Sequence, residues 1–251
     1  MEVQVICSRL TADPEFVQQL RQLLDPQEQA RADRFRFQKD RNAFTIARGL
    51  LRTILGGYLQ MMPSAVQFTY GTRGKPAVVA SRPIRFNVSH SGDLVLYAIS
   101  EGHEVGVDVE HIRPMEDLDG IARRFFSPAE YLELASLPAG KRLKCFFDCW
   151  TRKESFIKAV GDGLSYPLDR FRVTLRPGDV PRLVSIDGQD ASALPWSLHD
   201  VAPSEDYAAA LTVASPTCQV YIRRFESAQE CAAARPHLTV GQRLFSNKGV
   251  Y

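Results

Sequence analysis

Four short stretches carry side chains of the kind that handle phosphate esters. They are Gly74-Lys75-Pro76, Phe86-Asn87-Val88-Ser89-His90-Ser91-Gly92, Gly106-Val107-Asp108-Val109-Glu110, and the run WTRKESFIKA from Trp150 to Ala159. Among them are the carboxylates of Asp108, Glu110 and Glu154, the ammonium groups of Lys75 and Lys158, and the imidazole of His90. Carboxylates hold a divalent cation and ammonium groups answer phosphate charge, so the set suits a metal-assisted reaction on a phosphate ester. Each motif says little by itself. Their combination, in this order, narrows the chemistry.

On a strand, Asp108 and Glu110 point to one face, with Val107 and Val109 anchoring the other in a core. Two neighbouring carboxylates repel, and burying both without a cation is costly. Mg²⁺ takes one or two carboxylates together with substrate oxygens, which fits this spacing; an exposed acidic edge strand is the other reading of D-x-E alone. On a helix, Trp150, Glu154 and Lys158 recur every four residues and share a face. A surface ion pair has the same spacing, but Trp150 on that face implies partial burial, and Lys153 stands on the flank. Glu154 then reads as a third metal ligand or a general base, and Lys158 as a point charge on a phosphate. His90 is either a phosphate contact or structural. Ser89 and His90 are adjacent on a strand, so they face opposite ways, and no G-x-S-x-G elbow supports a hydrolase. Neither a G-x-x-x-x-G-K-[ST] loop nor G-x-G-x-x-G is present.

The elements that position these residues follow from periodicity. Residues 2–8 read as a strand, a helix follows Asp13-Pro14, and helices are expected over 26–38 and 40–60. In the last of these, Phe44, Ala47, Leu51, Ile54 and Leu55 form the buried stripe, leaving Arg41, Arg48 and Arg52 largely off it. Short β-rich runs from about 66 to 110 suggest an antiparallel sheet. Residues 115–136 read as helical with a cap at Ser127, and a longer helix runs from about 143 to 160, ending at Gly161. Strands return at 169–175, 181–186, 196–200, 207–214 and 218–225. The repeated order, and the likeness of LVLYAIS to YAAALTVA, predict an α+β protein with two related halves, 1–104 and 105–251.

The 251 residues suffice for a substantial core, and the 45% hydrophobic, 24% charged composition is that of an ordinary globular chain. No apolar run approaches a membrane span and no secretory start is present, so a cytoplasmic location is expected. Cys7, Cys145, Cys149, Cys218 and Cys231 contain no C-x-x-C pair and read as reduced thiols. A net charge of +2 and the lack of a binding motif argue against a nucleic-acid partner. The charge is uneven, however. Arg31, Arg34, Arg36, Lys39, Arg41, Arg48 and Arg52 outweigh Asp33 and Asp40, a patch that would attract phosphates or an acidic partner.

The ordered motifs GKP, F-N-x-S-H-S, G-x-D-x-E and W-x-x-K-E-S-x-x-K resemble the 4′-phosphopantetheinyl transferase superfamily, in its long surfactin-synthetase-activating form. The resemblance runs from the arginine-rich segment to about residue 225. It implies a pseudo-twofold pair of α+β halves with the active site in the cleft between them, a first half for coenzyme A and a second for metal and carrier protein. It also implies transfer of the phosphopantetheine arm of coenzyme A to a serine of an apo carrier protein, with release of 3′,5′-ADP. Asp108, Glu110 and Glu154 match the family's metal ligands (Mg²⁺, with Mn²⁺ possible), and Lys158 its pyrophosphate contact. Lys75, Pro76, Ser89, His90 and Asp108 match coenzyme-binding positions, and Arg31 and Arg48 are candidates for the 3′-phosphate end. Glu28, where relatives can carry a base, departs from the pattern. Leu164, Tyr166 and Leu168 fall in the carrier-contacting region. A monomer would suffice. The rival expectation is a catalytically silent coenzyme A or nucleotide-phosphate binding module, which would tolerate loss of the carboxylates this chain keeps.

Overall fold

A computed structural model of the chain describes residues 1–71, 73–161 and 166–234. The first part runs β1 (Glu2–Arg9), α1 (Pro14–Gln22), α2 (Pro26–Asp33), α3 (Gln38–Leu59), β2 (Phe68–Tyr70), β3 (Pro76–Val78), β4 (Ile84–Ser91) and β5 (Leu94–Glu101). The second continues with β6 (Val105–His111), α4 (Leu118–Phe125), α5 (Pro128–Ala135), α6 (Ala139–Val160), β7 (Phe171–Val173), β8 (Leu183–Ile186), β9 (Gln189–Asp190), β10 (Ser197–Asp200), β11 (Tyr207–Val213), β12 (Gln219–Phe225) and α7 (Ala228–Ala233).

The two main sheets have the orders β12-β1-β5-β4 and β10-β11-β6. Alternation along each strand assigns its faces. Ile6, Val95, Tyr97 and Ile99 of the first sheet pack against Ile46, Leu50 and Ile54 of α3. The opposite face, with Val3, Val5, Leu94, Leu96 and Ala98, meets Val105, Val107, Val109, Leu211 and Val213 of the second sheet in one core. The far face of the second sheet carries Asp108 and packs on α6, whose Ser155 hydroxyl lies 2.8 Å from that of Thr212. The order is helix, sheet, sheet, helix. β5 and β11, the two strands whose likeness suggested paired halves, are both interior to their sheets and buried almost throughout.

Several expectations need correction. The helix expected over 26–38 ends at Asp33, and four residues turn the chain before α3 begins. Arg52 is not off the buried stripe: it is 1% exposed. Glu28 at 2.6 Å, Asp25 at 2.9 Å and the Val66 carbonyl at 2.9 Å surround its guanidinium, because α2 and the segment after α3 close over that face. β12 also departs from the expected division, since it pairs with β1 in parallel, Glu2 opposite Gln219. The chain therefore returns to the first sheet to finish it, and α7 packs into the first core through Ala228 and Cys231. All five cysteines are unpaired.

Candidate active site

The halves meet along an edge that is not an ordinary ladder. β6 pairs with β11 on one side only, so the N–H groups of Val107, Val109 and His111 face outward from its other edge. Three side chains of β4 accept them: Asn87 Oδ1 from Val107 at 2.9 Å, Ser89 Oγ from Val109 at 3.4 Å, and Ser91 Oγ from His111 at 3.1 Å. The F-N-V-S-H-S motif thus supplies, at every second position, the acceptors a neighbouring strand would give through its carbonyls.

That seam holds the carboxylates. Asp108 is 4% exposed, and its Oδ1 accepts from Ser89 Oγ at 2.8 Å and Lys158 Nζ at 2.6 Å. Lys158 Nζ also donates to Ser89 Oγ at 3.0 Å. Ser91 Oγ donates to Glu110 Oε2 at 2.8 Å. Glu154 reaches the same region from α6, which approaches β6 closely because residue 106 is glycine. A Cβ there would lie 2.1 Å from the Ser155 carbonyl oxygen.

Burial raises the pKa of all three carboxyls. Glu154 is pushed up to about 7 by desolvation and then by the charge of Asp108, against the opposing pull of Lys158. Asp108 and Glu110 are raised, burial being the larger cause in each. Asp108 Oδ2 and Glu154 Oε1 are buried without a hydrogen-bond partner among the described residues. Orphaned anionic oxygens of this kind call for a cation. No three His, Cys, Asp or Glu side chains among the described residues are gathered into a metal cage, so these carboxylates are suited to an ion in kind without already enclosing its position.

Lys75 crosses from the first half to the second. Its Nζ donates to the Ala159 carbonyl at 3.0 Å, at the C-terminal end of α6 where a cation is favoured, and to Glu104 at 2.8 Å. With Arg73, Pro76, Arg85, Phe86 and Gly161 it lines a cavity of about 370 Å³. Glu104 also lines this cavity, whereas Asp108, Glu110 and Glu154 do not. His90, on the other face of β4 from Ser89, is exposed; desolvation of its ring and the charge of Lys158 hold its imidazole below the ordinary value.

Other expected site residues are placed differently. Arg48 is engaged by Glu28, by the Tyr70 hydroxyl at 3.0 Å and by the Phe68 ring at 3.9 Å, so a phosphate would have to compete with Glu28 for it. Arg31 is exposed beside Arg34 and Phe35. Leu168 is 6% exposed and packs into the second core, so it closes that domain and presents no surface to a carrier. Tyr166 packs edge-on against Phe156 and Phe171 and remains partly exposed. Leu164 lies outside the described residues. Lys153, expected on a flank, is fully buried on Glu130 at 2.8 Å, and the same Glu130 carboxylate closes the capping box of α5. Asn87 and Ser91 join the expected residues at this seam, and their two-residue spacing from Ser89 is the signal that they share its face.

Two families match the chain: "4'-phosphopantetheinyl transferase, N-terminal" over residues 11–102 and "4'-phosphopantetheinyl transferase superfamily" over 104–212. The 4'-phosphopantetheinyl transferase HetI of Nostoc sp. is 42% identical over 201 residues, 79% of this chain and 81% of that protein. The 4'-phosphopantetheinyl transferase psf-1 of Bacillus pumilus is 37% identical, covering 71% of this chain and 72% of the relative. For the 4'-phosphopantetheinyl transferase Sfp of Bacillus subtilis strain 168 the figures are 33%, 69% and 72%.

Proposed function

This chain belongs to the 4′-phosphopantetheinyl transferase superfamily, and from that premise we propose how its cleft works. The protein transfers the 4′-phosphopantetheine arm of coenzyme A to a serine of an apo carrier protein and releases 3′,5′-ADP. The observation that carries the reading is the meeting of Asp108, Glu110, Glu154 and Lys158 at the seam of the two halves, with two buried carboxylate oxygens left unpaired among the described residues. A silent binding module would have no use for that costly arrangement, and relatives of 33–42% identity bear the transferase name.

In this reading Asp108, Glu110 and Glu154 hold a divalent cation, Mg²⁺ or Mn²⁺, which would neutralise charge on the coenzyme's pyrophosphate. Lys158 adds a second positive charge from the last turn of α6, and Ser89 steadies both it and Asp108. Lys75, Pro76 and the cavity beside them receive the nucleotide end, with His90 close to Lys158. Arg31 is the exposed cation available to the 3′-phosphate; Arg48 contributes only where the phosphate displaces Glu28. The serine hydroxyl of the carrier attacks the β-phosphorus, the bond to the bridging oxygen breaks, and 3′,5′-ADP takes the electron pair. Glu154, with one oxygen toward the cation, accepts the serine proton on the other. The carrier docks beside Tyr166. A monomer is sufficient because one chain contains both halves. No described helix is long and apolar enough to cross a membrane, and the five free thiols fit a reducing cytoplasm.

The test is incubation with coenzyme A, Mg²⁺ and a panel of apo carriers, each carrier weighed by intact-protein mass spectrometry. A carrier should gain one phosphopantetheine, and Glu154→Gln or removal of metal should abolish the gain. Tight coenzyme A binding with no carrier modified would return the silent module.

A further inference from the structure

Ser89 and Ser91 stand two apart on β4, and the carboxylates they hold, Asp108 and Glu110, stand two apart on β6. Each serine makes the same pair of contacts. Its oxygen accepts the N–H of the residue after the carboxylate, Val109 for Ser89 and His111 for Ser91. Its proton goes to one oxygen of the carboxylate itself, at 2.8 Å in both cases. A serine hydroxyl has one proton to give. With the backbone N–H on a lone pair, that proton is directed to the carboxylate, so the strand seam chooses which carboxylate oxygen is held.

The two clips differ in one respect. Ser89 and Asp108 share theirs with Lys158, whereas among the described residues Glu110 Oε2 is held by Ser91 without a lysine on the same oxygen. We infer that Ser91 is a positioning residue for the transfer reaction: by fixing Glu110 Oε2 in the seam it leaves Oε1 oriented for the cation on the face shared with Asp108. The inference rests on reading Asp108, Glu110 and Glu154 as cation ligands. Partners that orient a ligating carboxylate typically change metal affinity by roughly 10–100-fold when removed.

The experiment titrates the whole protein with Mn²⁺, following free ion by electron paramagnetic resonance, alongside the metal dependence of carrier modification. Ser91→Ala should weaken Mn²⁺ binding roughly tenfold or more and raise the metal concentration for half-maximal rate by a similar factor, with KM for coenzyme A little changed. Ser91→Thr, which keeps a hydroxyl, should restore both. Asp108→Asn is the control for the ligand reading. If Asp108→Asn loses Mn²⁺ while Ser91→Ala binds it like wild type, the role of Ser91 is overturned, even if its Tm has fallen. If Ser91→Ala fails to fold, Ser91→Thr and Ser91→Cys decide: a folded cysteine variant with undiminished affinity, or a threonine variant as weak as the cysteine one, sinks the proposal. Wild type and Asp108→Asn binding Mn²⁺ equally would instead remove the premise.

Discussion

One oxygen of Glu154 is buried without a partner among the described residues, and burial pushes its carboxyl up from the ordinary 4.5 to about 7. The native protein without metal therefore binds a proton more tightly there than the unfolded chain does. Below about 4.5 both states are protonated and nothing is lost; as pH rises through 7 the native state must carry the buried charge, and stability falls. The effect is on the order of 3 kcal/mol, and Asp108 adds to it in the same direction. Glu154→Gln in metal-free buffer should accordingly melt several degrees above wild type at pH 8 and level with it near pH 4.5. Added Mg²⁺ should raise the wild-type Tm and leave the variant's unchanged; thermal melts at two pH values, with and without metal, measure both. The acidic residues themselves were legible from D-x-E and the four-residue spacing on α6. Their shared partners were not, because the contacts of Ser89, Ser91 and Lys158 cross between elements 50 or more residues apart or join strands whose register periodicity does not give.

At the scale of elements, the distance between β6 and α6 decides whether the carboxylates meet. Gly106 sets it. A Cβ would stand 2.1 Å from the Ser155 oxygen and 2.3 Å from the Ala159 nitrogen, both backbone atoms that cannot rotate aside. Gly106→Ala should destabilise by roughly 3 kcal/mol, about 10 °C in Tm, and reduce transfer further by moving Asp108 away from Glu154. Differential scanning calorimetry together with the carrier assay checks both parts. Most elements were readable: the caps at Asp13 and Ser127 and the glycine stop at Gly161 have local causes. What periodicity missed was tertiary. Arg52 reads as a surface arginine until α2 brings Asp25 and Glu28 onto it, and Lys153 until Glu130 does the same.

For the whole molecule, the core between the sheets binds the halves into one unit. Val3, Val5, Leu94 and Leu96 are covered by Val105, Val107, Leu211 and Val213, so neither half alone has two covered sheet faces. Residues 1–104 produced by themselves should therefore remain unfolded or aggregate, and the full chain should melt in a single transition; circular dichroism distinguishes these outcomes from two independent melts. The strands of both sheets were visible in the repeated order of elements, β12 among them, but its place was not, since nothing local in QVYIRRF says which sheet it joins. The partners Glu2 and Gln219 lie more than two hundred residues apart. On a translating ribosome at about 5–20 residues per second, the edge of β1 awaits its neighbour for on the order of ten to forty seconds. During that interval the nascent first sheet offers an open edge to any other extended chain, so the yield of active protein depends on how that edge is shielded before synthesis ends.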